Sequence, residues 1–437
     1  MFQILSNRTY RHLFLAQVIA LLGTGLATVA LGLLAYDLAG ANAGAVLGTA
    51  LAIKMLAYIG VAPVAAAFAE RLPRRTMLVS LDVVRAGVAL LLPFVDQIWQ
   101  IYVLIFVLQS ASAAFTPTFQ ATIPDVLPDE KDYTQALSLS RLAYDMESLV
   151  SPALAALLLS VVSYHSLFNG TVVGFLASAA LVISAMLPRA KLPPKRSIYE
   201  RTTRGLRIYL RTPRLRGLLA LNLAIAAGSA MVIVNTVVLV QAGLGLNQKF
   251  TAMALAAFGA GSMLVALALP KILDKLPERR VMLVGGTVIA ASLLVGGVMP
   301  ATFSGLLALW FLVGVGYSLA QTPSGRLLRR SSHAVDRPAL FAAQFALSHT
   351  CWLLTYPLAG WLGAKLGMST SFLSLGAVAL VAIVLASRLW PSHEAARTPH
   401  DHPGLSVRDP HLEEHRDTGG AHSHEFIVDD QHPRWPS

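Results

Sequence analysis

The chain has 437 residues, of which 55% are hydrophobic and only 13% charged, about half the charge density of a soluble domain. That balance excludes a water-soluble globular enzyme and points to a polytopic membrane protein. The net charge of +11 is not a nucleic-acid signal, because the basic residues are confined to alternate loops, which reports membrane topology.

A bilayer-crossing helix needs about 20 mostly apolar residues, and the chain up to Trp390 has room for twelve. The predicted spans are 12–36, 45–69, 77–95, 100–121, 135–161, 166–187, 214–241, 250–270, 281–299, 303–323, 339–362 and 369–390. Arg8 and Arg11 run directly into the first span, without the pattern of a cleaved signal peptide. With the N-terminus inside, one set of loops collects Arg71, Arg74, Arg75, Lys131, Lys271, Lys275, Arg279, Arg280, Arg326, Arg329, Arg330 and Arg337, while the other set holds only Lys249 and Lys365. The asymmetry predicts that both termini are cytoplasmic.

The chain repeats itself. Ala66 to Leu78, AAFAERLPRRTML, is answered by Leu269 to Leu283, LPKILDKLPERRVML, at an offset of 204 to 205 residues. Thr116-Pro117 is answered by Thr322-Pro323, and Ser151-Pro152 by Tyr356-Pro357. The chain therefore divides into an N-terminal six-helix half (1–188), a basic cytoplasmic linker (189–213), a C-terminal six-helix half (214–390) and a tail (391–437). In the linker, Ser197 to Arg211 reads as an amphipathic basic helix lying on the anionic inner leaflet.

Ionisable groups inside spans are costly and are functional candidates. Lys54 lies in span 2, and Asp82 and Arg85 form an i,i+3 pair in span 3. In span 5, Asp145 and Glu147 lie near mid-depth, with Arg141 one turn before Asp145. Two positions on a helix are about 200° apart, so Asp145 and Glu147 face opposite sides: one meets the central cavity, the other a neighbouring helix or Lys54. Span 11, the repeat partner of span 5, places His349 at the height of Asp145, beside Cys351, the only cysteine. Asp145, Glu147, His349 and Lys54 are the candidate substrate and proton-coupling residues. His, Cys and carboxylate are ligands for late first-row divalent metals.

The tail holds eight of the twelve histidines. His400, His402, His411, His415, His422 and His424 have spacings that let a flexible chain wrap a metal ion. Its Pro, Gly and charge content predicts disorder. There is no Walker phosphate loop, no Gly-x-Ser-x-Gly elbow and no His-Glu-x-x-His. ATP-driven transport, hydrolysis and a bound cofactor are not indicated.

Twelve spans, a long basic central loop and a charged turn after span 2 repeated after span 8 resemble the major facilitator superfamily. Its usual turn motif is Gly-x-x-x-Asp-Arg-x-Gly-Arg-Arg. Here Ala66 replaces the first glycine, Glu70 the aspartate and Pro73 the second glycine, while Arg71, Arg74 and Arg75 match. The resemblance implies an all-α membrane fold of two six-helix repeats, in which Glu70, Arg71, Arg74, Arg75, Asp82, Arg85, Asp274 and Lys275 serve gating. The block Thr116 to Ala155 and the histidine-rich tail are also similar to bacterial nickel-resistance exporters. That likeness implies a multi-pass inner-membrane exporter of a divalent metal such as nickel, driven by proton antiport. Two other readings stay open: proton-coupled export of a metal chelate (siderophore) or a drug-like compound, and a membrane metal sensor.

Overall fold

The computed structural model describes residues 2–39, 43–69, 72–188, 197–299, 301–392, 398–399, 423–424, 426–432 and 435. In chain order the helices are α1 (Arg8–Ala39), α2 (Ala43–Ala69), α3 (Arg74–Leu91), α4 (Ile98–Val126), α5 (Glu130–Leu159), α6 (Tyr164–Ser184), α7 (Ile198–Arg211), α8 (Pro213–Val237), α9 (Gln248–Leu273), α10 (Glu278–Val298), α11 (Phe303–Gln321), α12 (Ser324–Arg330), α13 (Arg337–Leu366) and α14 (Met368–Leu389). Twelve are long, and among the described residues ten are long and apolar enough to cross a membrane. The other two, α5 and α13, have 30 residues each and carry the polar groups discussed below.

Local chemistry sets the helix starts. Asp129 accepts from the backbone N–H of Lys131 and Asp132 at 2.8 and 3.0 Å and begins α5. Asn247 accepts from Lys249 N at 3.0 Å and begins α9. Each satisfies helix-end donors that have no partner within the helix. The repeated Thr-Pro step has different outcomes. α4 runs through Pro117 without a break, whereas Thr322-Pro323 divides α11 from α12.

The bundle is apolar on its outside and sets polar groups within an apolar core. Leu51, Leu56, Phe94, Trp99, Leu267, Leu354 and Trp361 are exposed on its flanks, while Asp82, Asn222, Asn235, Ser262 and Gln344 are buried. This arrangement fits a hydrocarbon surround, in which polar groups must be satisfied internally. Asn235, for example, donates to Ala359 O at 3.2 Å.

Glycines set how closely some helices approach. A methyl group on Gly261 of α9 would lie 2.1 Å from Phe311 O, and one on Gly314 of α11 would lie 2.0 Å from Phe258 O. The two backbones are in direct contact, and neither site has space for a side chain.

The linker helix departs from expectation. α7 does not lie free on a surface. Gly205 brings its backbone against α13, where an added methyl group would sit 1.9 Å from Ala339 O. Arg204 grips Asp336 with Nε at 2.5 Å and Nη2 at 2.9 Å, and Tyr209 OH donates to Gln344 at 2.5 Å. The basic stripe hid this contact, and Gly205, a poor helix former within it, was the available clue.

Part of the segment expected to be structureless is also packed. Phe426 and Val428 join the core beside Tyr209, Leu215 and Trp390. Asp430 pairs with Arg204 at 2.7 Å and Asp429 with His333 at 3.2 Å, while Trp435 lies under the Arg214 guanidinium. Five of the six proposed metal-ligating histidines, His400, His402, His411, His415 and His422, lie outside the described residues. So do Glu70, Arg71 and linker residues 189–196. Of His424 only the backbone is described.

Two outcomes test this architecture. Gly261→Ala or Gly314→Ala should each cost roughly 1–3 kcal/mol by overpacking, read as a lower melting temperature in detergent. Gly87→Ala, with nothing within 4 Å, should be neutral or stabilise by up to about 1 kcal/mol. The second concerns pH. The hydrogen bond to Asp429 raises the His333 pKa above its ordinary value. The docked segment therefore holds that proton more tightly. The contribution is complete below about pH 6.5 and is lost as pH rises through the raised value. Hydrogen exchange of residues 426–432, corrected for intrinsic rate, should be slower at about pH 6 than at about pH 8.5, and His333→Gln should remove the difference.

Candidate transport site

The helices leave two polar assemblies between the halves, one at mid-depth and one at the end that carries the basic loops. At mid-depth, Arg141 and Asp145 of α5 form a buried ion pair. Asp145 is 2% exposed. Its other oxygen accepts from Ser262 Oγ of α9 at 2.6 Å. Arg141 Nη1 donates to Tyr317 OH of α11 at 3.1 Å, and the guanidinium lies 4.8 Å from the Tyr317 ring centroid. A charge pair of the N-terminal half is thus completed by two residues of the C-terminal half.

Glu147 points the other way, as the helical geometry predicts. Its carboxylate lies against α1, where a methyl group on Gly25 would sit 2.8 Å from Oε1, and Lys54 of α2 is the charge acting on it. Lys54 also lies 5.4 Å from the Tyr58 ring centroid. Tyr58 opens an aromatic run into the C-terminal half. Its ring centroid is 4.8 Å from Phe345 and 4.7 Å from His349, and the run continues to Trp352 and Tyr356 at 5.6 and 5.7 Å steps.

His349 Nδ1 is 2.7 Å from Phe345 O. A carbonyl only accepts, so Nδ1 carries the hydrogen and Nε2 is left for other partners. The structure does not bring His349, Cys351 and Asp145 into one ligand set. Cys351 is two positions from His349 and so on the other side of α13. Asp145 is held by Arg141 and Ser262, while His349 meets the Phe345 carbonyl, Ser348 Oγ and aromatic rings. Among the described residues no group of three or more His, Cys, Asp or Glu is placed to hold a metal ion.

At the basic end, Asp125 at the end of α4 takes Arg74 on one oxygen and Arg337 of α13 on the other. Arg326 of α12 pairs with Glu130 of α5 and, at 2.9 Å, with Glu278 of α10. Arg329 donates to Pro128 O. Every described ion pair between the two halves lies at this end. The repeat explains part of the pattern. Arg75 Nη2 donates to Ala185 O at 2.6 Å, and its counterpart Arg279 donates to Ser387 O and Trp390 O at 2.9 Å. Each arginine satisfies the carbonyls that close its half's last helix. At the same offset, Arg74 pairs with Asp125 while Glu278 pairs with Arg330 at 3.5 Å. The sites correspond but the signs are exchanged.

The remaining predicted residues are placed as follows. Asp82 and Arg85 form a buried pair inside the N-terminal half. Ser178 donates to Asp82 at 2.8 Å, and Arg85 lies between the rings of Phe115 and Phe175. Asp274 and Lys275 are exposed, and at the second turn Glu278 is the acid paired with Arg326 and Arg330. Sequence reasoning missed Ser262, Tyr317, Asp125 and Glu130. Glu130 could have been suspected, because it opens a helix directly after an Asp-capped turn.

A sequence profile of the Major Facilitator Superfamily matches residues 13–302 and 219–410. The chain belongs to that superfamily of membrane transporters. It is 24% identical over 341 residues to the uncharacterized MFS-type transporter YfiS of Bacillus subtilis, covering 75% of this chain and 80% of that protein. It is also 24% identical over 153 residues to macrolide efflux protein A of Enterococcus faecalis, covering 33% of this chain and 47% of that protein. The human organic anion transporter MFSD10 (TETRAN) superposes with a TM-score of 0.72 at 12% identity, covering 87% of this chain and 99% of that one. The E. coli fucose:proton symporter FucP gives 0.70 at 12%, covering 88% and 98%. At such identities the structural matches bear on the fold alone.

The Arg141–Asp145 pair gives a direct test. Asp145→Asn should destabilise the protein by roughly 3–5 kcal/mol, because it leaves a buried guanidinium without its counter-charge. Adding Arg141→Gln should recover part of that loss, so the double variant should melt above the sum of the singles.

Proposed function

We propose that this chain is a secondary active exporter of an amphipathic organic compound, driven by proton antiport. The observation that carries the substrate class is the aromatic run Tyr58, Phe345, His349, Trp352 and Tyr356, flanked by one base, Lys54, and one acid, Glu147. Rings of this kind bury apolar surface and attract cations over their faces, whereas a divalent metal asks for convergent hard or borderline ligands. The likeness to macrolide efflux proteins agrees with the reading.

In this proposal all twelve long helices cross the membrane, α5 and α13 included, with their polar residues turned to the joint between the halves. The basic end faces the cytoplasm, following the distribution of lysine and arginine. The pairs through Asp125, Arg326 and Arg329 close that end, leaving the central site open to the outside. Glu147 is the proton carrier. Among the described residues it has no arginine partner fixing its charge, and a carboxylate at that depth is costly when ionised. Asp145 is held by Arg141 and Ser262 and serves as the joint between the halves.

In proteoliposomes, Glu147→Gln should insert normally and still bind a lipophilic cation such as ethidium, but abolish its accumulation under a pH gradient. An amide cannot exchange a proton. A wild-type rate in that variant would place the proton path elsewhere. Trp352→Ala should weaken cation binding on the order of tenfold, the loss of one stacking partner. Export of nickel is the second reading, favoured only by the spacing of the tail histidines. Gradient-driven nickel flux that survives Trp352→Ala and is lost on truncation at Pro391 would favour it over the first.

A further inference from the structure

The basic end holds a cavity of about 350 Å³ that the transport reading does not use. Its walls carry the guanidinium groups of Arg326, Arg329, Arg330 and Arg337 and the imidazole of His333, against one carboxylate, Glu130. Ile427 of the C-terminal segment closes one side. Three more acids reach these bases, Asp125 and Glu278 the arginines and Asp429 the His333 imidazole at 3.2 Å. Even with them the donors are not exhausted. Arg329 Nη1 and Arg337 Nε are buried with no hydrogen-bond partner among the described residues. Each arginine has five N–H donors, and a buried donor left without an acceptor is destabilising, more so when charged.

From this excess of buried donors around an open, polar volume, we infer that the cavity is a binding site for a phosphate-bearing anion. A phosphate group presents several acceptor oxygens and matches the arginine fork in the bidentate geometry that a chloride ion cannot use. The volume exceeds that of inorganic phosphate and lies in the range of small-ligand pockets, about 300–1,000 Å³. It admits a phosphate carrying a sugar or a glycerol group. A free phosphorylated metabolite and an anionic lipid headgroup share this chemistry.

The position gives such a ligand a consequence. Glu130 belongs to the N-terminal half and the four arginines to the C-terminal half, so the complete cavity exists only while this end is closed. A ligand that binds one state and not the other shifts the balance toward the state it binds. An anion here holds the basic end shut. The site is separate from the aromatic run, and it stands or falls by binding measurements that need no transported cargo.

The test uses the purified full-length chain in neutral detergent at constant ionic strength. Titration with sodium phosphate and with ATP should raise the melting temperature saturably, while equal charge supplied as sodium chloride should not. Arg330→Gln and His333→Gln should each weaken the response on the order of tenfold, as expected for one charge-assisted hydrogen bond. Arg330→Lys should recover part of it if the glutamine variant folds poorly. In a parallel arm, nanodiscs of phosphatidylglycerol are compared with phosphatidylcholine. Stabilisation by phosphatidylglycerol alone, lost in the same variants, assigns the site to a lipid headgroup. A response to soluble phosphate or ATP, lost in the same variants, assigns it to a free metabolite. Responses that chloride reproduces, or that persist unchanged in both variants, or no response in either arm, would overturn the inference.

Discussion

An ion pair placed in the middle of an apolar bundle has to be completed by whatever surrounds it. Arg141 and Asp145 neutralise each other within one turn of α5, yet a guanidinium and a carboxylate have more donors and acceptors than one contact uses. Ser262 and Tyr317 each take one further contact, while Arg141 Nε stays buried without a partner among the described residues. Because those two residues stand on α9 and α11, the pair cannot be satisfied by its own half alone. The need to bury charge without leaving it bare therefore ties the two halves together at the depth where a substrate has to pass. Isolated buried pairs add little to stability. This one instead gives the halves a fixed register, and any movement between them must first find new partners for both groups.

The ends of the bundle solve a related problem by other means. Helix termini expose carbonyls that nothing inside the helix can satisfy. Arg75 and Arg279, related by the repeat, each reach the last carbonyls of their own half. The neighbouring positions, Arg74 and Glu278, carry opposite charges in the two halves, and their partners Asp125 and Arg330 are exchanged to match. A duplicated sequence would otherwise set like charges at both turns. The exchange gives each half a different polarity at the closing end, which favours contact between unlike faces.

What could be read in the sequence and what could not divide along a physical line. The long apolar runs, the repeat offset and the opposition of Asp145 and Glu147 depend on periodicity within one helix, and each is visible in the chain itself. The partners of Asp145 lie 117 residues away and those of Arg141 lie 176 away, and no local pattern marks a serine or a tyrosine for such a role. His349 and Cys351 illustrate the reverse error. Their ligand chemistry was suggestive, but two positions on a helix separate rather than join. The linker helix misled through its charge, because the basic stripe outweighed one glycine whose missing side chain lets two backbones meet.

The docking of α7 changes what counts as the moving part. Since Arg204, Gly205 and Tyr209 fasten it to α13, and the segment around Phe426 and Trp435 packs onto the same surface, the C-terminal half carries both appendages as cargo. Ala185 and Leu187 still pack in the core of the N-terminal half, and α7 also touches α2 of that half. Rocking of one half against the other must therefore part or slide the α7–α2 contact, which makes the linker helix a working face of the seam and not a passive tether.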